Sequence, residues 1–134
     1  MQLSITLGAY DLETTADFYR QIPGLSLSWL TDSRGSRSGL MLSTNNIRLV
    51  FQPLDRLEQQ HPALLQHLDR TLLGSGMILE FECPDLDPIY LAARRKRWPI
   101  LFELDDHEHQ RRELWLQDPN GYLIAMNEEA PISS

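Results

Sequence analysis

At 134 residues the chain is long enough to bury one core without cross-links and short for two domains, and its 42% hydrophobic and 23% charged residues are ordinary for a globular protein. Nineteen acidic residues against twelve basic ones give a formal charge of −7, a surface that repels nucleic-acid backbones and mildly favours a cationic partner. No apolar run approaches the ~18 residues of a membrane span, Met1 to Tyr10 lacks a basic leader pattern and the lone Cys83 has no internal disulfide partner, so a cytoplasmic protein with neither membrane nor nucleic acid as partner is expected.

Leu3, Ile5 and Leu7 alternate with Ser4, Thr6 and Gly8, the period of a half-buried strand. Asp11 has the character of an N-cap, with Leu12, Phe18 and Tyr19 following on one helical stripe that Pro23-Gly24 ends. Leu25, Leu27 and Trp29 alternate as a second strand, Asp32 to Ser36 forms a hairpin loop, and Leu40-Met41-Leu42 is a third strand. Thr44-Asn45-Asn46 turns into a fourth, with Ile47, Leu49 and Phe51 on one side. From Gln52 to Gly76 the alternation breaks. There His61-Pro62 is expected to open a short helix through Leu64, Leu65, Leu68 and Leu72, because the N–H that proline lacks is unused in a first turn. Gly74-Ser75-Gly76 closes it.

Met77, Leu79 and Phe81 then alternate with Ile78, Glu80 and Glu82 as a strand. Pro84-Asp85 leads into a helix carrying Ile89, Tyr90 and Ala93, and its closing Arg94-Arg95-Lys96-Arg97 run complements the helix dipole. Strands over Pro99 to Leu104, Glu113 to Gln117 and Tyr122 to Asn127 follow. They are separated by a polar loop, Asp105 to Gln110, and by the reverse turn Asp118-Pro119-Asn120-Gly121, while the tail from Ala130 is expected to fray. A strand, a helix and three strands thus occur twice, with Asp11-Leu12-Glu13 answering Asp85-Leu86-Asp87. The chain reads as one domain over 1–134, with module one at about 3–52, a partly helical linker at about 53–75 lying over one end of the sheet, and module two at about 76–128.

Two stretches carry a family resemblance. The first is Asp11-Leu12-Glu13, Asp17-Phe18-Tyr19-Arg20 and Pro23-Gly24; the second, more specific, is Arg112 to Ile124 around Asp118-Pro119-Asn120-Gly121. On these residues the chain resembles the vicinal-oxygen-chelate superfamily of glyoxalase I, fosfomycin-resistance enzymes, extradiol dioxygenases and bleomycin-resistance proteins. The resemblance implies an α+β fold in which two tandem βαβββ modules form a half-open mixed β-sheet cup with helices on the outer face. It also implies where metal ligands would stand, and the matching positions hold Ser4, Arg48, Ile78 and Ala125. Serine is a poor ligand, isoleucine and alanine are none, and a guanidinium repels a cation, so no metal and no other cofactor is expected. The chain is in this respect closest in kind to the metal-free bleomycin-resistance-like members. His107 and His109, beside Asp105 and Asp106, read as a solvated acidic loop, with a substitute metal site there left open; His61 and His67 read as surface residues and Cys83 as a buried structural one.

With the ligand positions setting the phase, Ser4, Thr6, Arg48, Val50, Gln52, Ile78, Glu80, Glu82, Glu113, Trp115, Leu123, Ala125 and Asn127 face the cup. Arg48, Glu80, Glu82, Glu113 and Trp115 are the candidate ligand-binding residues, because carboxylates beside an indole suit a flat or cationic guest. Arg48 or the guest would balance the acids. Trp29, Trp98 and Trp115, each taken singly, read as core or interface residues, and it is the cup taken together that favours a guest. The function expected is metal-independent binding of a small aromatic or cationic molecule, in resistance, sequestration or sensing. The rivals are a glyoxalase-type lyase, isomerase or dioxygenase with a rearranged metal site or with Glu80, Glu82 and Glu113 as acid/base groups, and a ligand-free structural subunit. An open cup leaves apolar edges exposed, so a homodimer is expected.

Overall fold

A computed structural model describes residues 1–60, 62–70 and 72–128. The first half contains β1 (Leu3–Ala9), α1 (Leu12–Tyr19), β2 (Ser26–Thr31), β3 (Arg37–Thr44) and β4 (Ile47–Pro53). After α2 (Leu54–Gln60) and a 3-10 turn at Leu68–Arg70, the second half contains β5 (Ile78–Cys83), α3 (Asp87–Lys96), β6 (Ile100–Asp106), β7 (Arg111–Gln117) and β8 (Leu123–Glu128). Each half builds its own four-stranded sheet, in the orders β1-β4-β3-β2 and β5-β8-β7-β6. The first strand of each runs parallel to the last, and the other neighbours are antiparallel. The fold is therefore α+β, two tandem βαβββ modules with the sheets left open, and no described helix is long and apolar enough to cross a membrane.

Local chemistry sets the helix ends. Asp11 caps α1 from an extended backbone, its Oδ1 accepting the Glu13 N–H at 3.1 Å. Asp85 does the same for the Asp87 N–H at 3.0 Å, yet α3 begins only at Asp87, with Leu86 in the cap position and Pro88 in the first turn. The linker helix lies earlier than the sequence pattern suggested. It is α2, ending before the His61-Pro62 pair rather than starting there; His61 itself lies outside the described residues, as does the tail from Ala130. The reason is physical: proline disfavours helix in the residue before it, so Pro62 stops a helix arriving from Leu54. Leu54 and Leu57 are buried against the first sheet, whereas Leu64 and Leu72 find no such surface and are 81% and 87% exposed. The helix still covers one end of that sheet, as expected.

One hydrophobic cluster joins the halves: Leu7, Leu49 and Phe51 from the first sheet, Leu114, Leu116, Ile124 and Met126 from the second, and Phe18, Tyr19, Ile89 and Ala93 from α1 and α3. Each large side chain buried there contributes about 1.5–3 kcal/mol. The Phe18 ring lies 5.0 Å from that of Tyr19 and 4.6 Å from that of Trp98, and Tyr19 lies 5.2 Å from Phe51. Trp29 packs against the same cluster with Arg37 over its ring at 4.1 Å. Cys83 is fully buried.

The Asp118 to Gly121 turn does more than join β7 to β8. Asp118 Oδ1 accepts the Asn120 and Tyr122 amides, both at 2.9 Å, while its Oδ2 accepts the Tyr19 hydroxyl of the other half at 2.7 Å. Asn120 accepts the Tyr10 N–H at 2.8 Å and donates to Thr15 at 3.0 Å; the Tyr122 hydroxyl donates to the Gly8 carbonyl at 2.9 Å. This polar network fastens module two to β1 and α1.

Candidate functional site

Strand alternation gives each sheet a second face, turned away from the shared core. On the first sheet, Ser4, Arg48, Ser43 and Ser26 form one row across the strands, and Thr6, Val50, Met41 and Ser28 form the next. On the second sheet, Glu80, Ala125, Trp115 and Phe102 form one row, and Glu82, Asn127, Glu113 and Leu104 the next. Leu54 and Leu57 of α2 close one end of the first face, over Gly8, where an added Cβ would collide with Leu54 Cδ2. Gln52, the register partner of Gly8, buries its Oε1 there without a hydrogen-bond partner among the described residues.

The five expected ligand-binding residues divide between the sheets. Glu80, Glu82, Glu113 and Trp115 share the second face, while Arg48 stands on the first. Trp115 is half-buried, meets Phe102 edge-on at 6.2 Å and donates its Nε1–H to Glu113 Oε1 at 3.4 Å. The other Glu113 oxygen accepts from Arg111 at 3.2 Å, so the cation balancing this 22% exposed carboxylate is Arg111 rather than Arg48. Glu80 and Glu82 are exposed, and water offsets their charge. Arg48 is half-buried and hydrogen-bonded to the Gln2 side-chain amide; among the described residues it makes no ion pair.

Phe102 is the site residue that sequence reasoning missed. A register shift between Ile100 and Phe102 breaks the alternation of β6, so no simple period shows which side Phe102 takes. Two clefts flank this face. One of about 330 Å³ is lined by Arg111, Glu113 and Asn127; one of about 630 Å³ lies between residues 72–77 and Ile78, Gln117 and Leu123.

The positions matching a metal site do not fit a divalent ion. Ser4 is paired in register with Arg48, Ile78 offers an aliphatic chain, and Ala125, 1% exposed between Glu80 and Trp115, offers a methyl group. Among the described residues no group of three or more His, Cys, Asp or Glu could hold a metal ion. His107 and His109, in the turn between β6 and β7, go to separate acids: His107 lies 3.4 Å from Asp105 and His109 lies 2.8 Å from Asp106. The side-chain and backbone hydrogen bonds of His109 hold the Asp106 carboxyl below its usual range.

The chain matches the Glyoxalase/Bleomycin resistance protein/Dioxygenase superfamily over residues 2–126. Among curated proteins none matches it in sequence. A glyoxalase-related enzyme from Fulvimarina pelagi has a similar structure, with a TM-score of 0.72 at 19% identity, over 100% of this chain and 93% of that one. TioX from Micromonospora sp. ML1 gives 0.64 at 15% identity, over 96% and 98%. A lactoylglutathione lyase from Agrobacterium tumefaciens gives 0.62 at 15% identity, over 96% and 92%. At these identities the structural likeness concerns the fold.

Proposed function

The chain belongs to the Glyoxalase/Bleomycin resistance protein/Dioxygenase superfamily, and from that premise we propose that it binds a small aromatic or cationic molecule, without a metal, on the acidic and aromatic face of its second sheet. Such a protein would act in resistance, sequestration or sensing. The observation that carries this reading is the row Glu80, Ala125, Trp115, Phe102. A small floor residue stands between a carboxylate and two rings, so a flat guest has an aromatic wall and a cationic one has a counter-charge. Glu113 fixes the indole through its Nε1–H, which keeps that wall in one orientation. The metal-ligand positions, holding a guanidinium, two hydrocarbon side chains and one serine hydroxyl, a poor ligand, do not make up the donor set a metal-dependent lyase needs. General acid/base chemistry is disfavoured too, because Glu80 and Glu82 stand in water and Glu113 is held by Arg111 and the Trp115 indole.

The test is tryptophan fluorescence of EDTA-treated protein during titration with bleomycin and with cationic aromatic amines. Quenching at sub-millimolar concentration is expected, and Trp115→Ala and Glu80→Gln should each weaken binding about tenfold, at the cost of roughly 1.4 kcal/mol. Absence of quenching by every probe, or quenching that vanishes on EDTA treatment, contradicts the reading.

A further inference from the structure

We propose that the guest is an amphiphile: a ring-bearing cation whose head lies on Glu80 and Trp115 and whose neutral hydrocarbon chain runs into the cleft beside residues 72–77. This deepens the binding reading above and rests on it. The observation is a gradient of side chains along one sheet face. Glu82, Asn127 and Glu113 form one row across β5, β8 and β7, and Glu80, Ala125 and Trp115 form the next. Two residues further along the same strands, and so on the same face, stand Ile78, Leu123 and Gln117. Acidic, aromatic and mainly apolar rows thus follow one another, each separated by about 6.5–7 Å, the rise of two residues in a strand.

The two ends of this face open into clefts of opposite kind. At the acidic row, the cleft of about 330 Å³ is lined by charged side chains, Arg111, Arg112, Glu113 and Glu128 among them. At the apolar row lies the cleft of about 630 Å³, a size that suits a small-molecule site. Leu123 and Gln117 lie along it, with Ile78 at the sheet edge, and Leu72, Leu73 and Tyr10 also line it. Among the described residues none that lines it is charged, in a chain of which 23% is. Its polar groups are largely taken up by the protein itself. The Gln117 amide donates to the Gly121 carbonyl at 3.3 Å, and Asn120 bonds both Tyr10 and Thr15. The Ser75 and Met77 N–H groups donate to the Leu72 and Gly74 carbonyls at 3.4 and 3.0 Å. A sugar or a peptide would find few partners there, whereas a hydrocarbon chain needs none and covers the exposed Leu72 and half-buried Leu123. An ionised group in this cleft would lose water without meeting a counter-charge, so the chain is neutral to its end. The gradient also orients the guest, with its cation toward the acids and its chain away from them.

Calorimetric titration of the full chain at pH 7 with benzyltrimethylammonium and benzyldimethylhexylammonium tests this, because the two share a head and differ only in a methyl against a hexyl group. The hexyl probe is expected to bind about thirtyfold tighter, half on a logarithmic scale of what full burial of the added carbons gives. Leu123→Ser should cut that gain to about threefold, and Leu72→Ser, at an exposed position, to about tenfold, with affinity for the trimethyl probe unchanged in both. Trp115→Ala should weaken both probes by the same factor of about ten, since the head they share lies on that ring. A thermal midpoint matching the parent protein shows that each variant is folded. Three outcomes overturn the chain cleft and leave the acidic and aromatic face standing: a hexyl probe no tighter than the trimethyl one, a gain that survives both serine variants, or hexyl binding indifferent to Trp115→Ala while the trimethyl probe weakens. Failure of both probes to bind, or indifference of both to Trp115→Ala, overturns both readings.

Discussion

Asp118 is 4% exposed, and both its oxygens are engaged by the Tyr19 hydroxyl and by backbone amides. Burial pushes its carboxyl above the usual range, and those hydrogen bonds pull it back only in part. Burial also raises Tyr19 well above its ordinary value and pushes Tyr122 up to about 12, so both phenols remain donors at neutral pH. The sign follows from linkage. A carboxyl whose folded value exceeds its unfolded value favours the folded state most at low pH, and that advantage is lost as pH rises from about 4 through the folded value. Tyr19→Phe deletes a bond that favours the ionised form, so it raises Asp118 further. Urea denaturation at pH 7 should show a loss of about 1.5–3 kcal/mol for Tyr19→Phe, shrinking as the pH is lowered and the folded carboxyl takes up its proton. A loss equal or larger at the acid pH would contradict this account.

At the level of elements, what was legible in the sequence is what depends on neighbours along the chain. Alternation in β1 and β4 set Leu7 and Phe51 apart on one strand face, and the structure buries both in the core with Leu116 and Ile124, while Glu80 and Trp115 share the other face of the second sheet. Asp11 as a cap was equally local. What depends on partners far along the chain was not legible. Phe102 reaches its place through a bulge set by pairing with β7, and α2 forms where Leu54 and Leu57 find the floor over Gly8. The bonds from Asp118 and Asn120 to Tyr19, Tyr10 and Thr15 cross about a hundred residues and leave no periodic trace. Nor did the end of α3 carry its usual signal. Arg97 takes the left-handed conformation at φ 58°, and the Trp98 N–H closes the helix on the Ala93 carbonyl at 2.9 Å. Glycine adopts this conformation without the Cβ clash, so Arg97→Gly should raise stability by about 0.5–1 kcal/mol in chemical denaturation, and a destabilised variant would show that the arginine side chain matters there.

For the molecule as a whole, assembly turns on the sheet edges. β1 and β5 each end their sheet, and an edge strand presents unpaired backbone groups to any strand that meets it. Apolar side chains lie at and beside these edges: Leu3 of β1 is 53% exposed, Ile78 of β5 45%, and Ile47, next to Leu3 on the neighbouring β4, 45%. Ile47 and Ile78 share one cleft, so these residues lie close enough to form a single patch. Monomeric proteins seldom leave such edges bare, and a twofold contact is the commonest cover. We therefore propose a homodimer seated on the apolar edge, a contact that leaves the Trp115 face open to its guest. Sedimentation equilibrium at micromolar concentration should give twice the 15.5 kDa chain mass, and Ile47→Asp with Ile78→Asp should return the monomer while circular dichroism stays unchanged. Monomer mass for the parent chain, or a dimer indifferent to both substitutions, would show that these edges are not the contact.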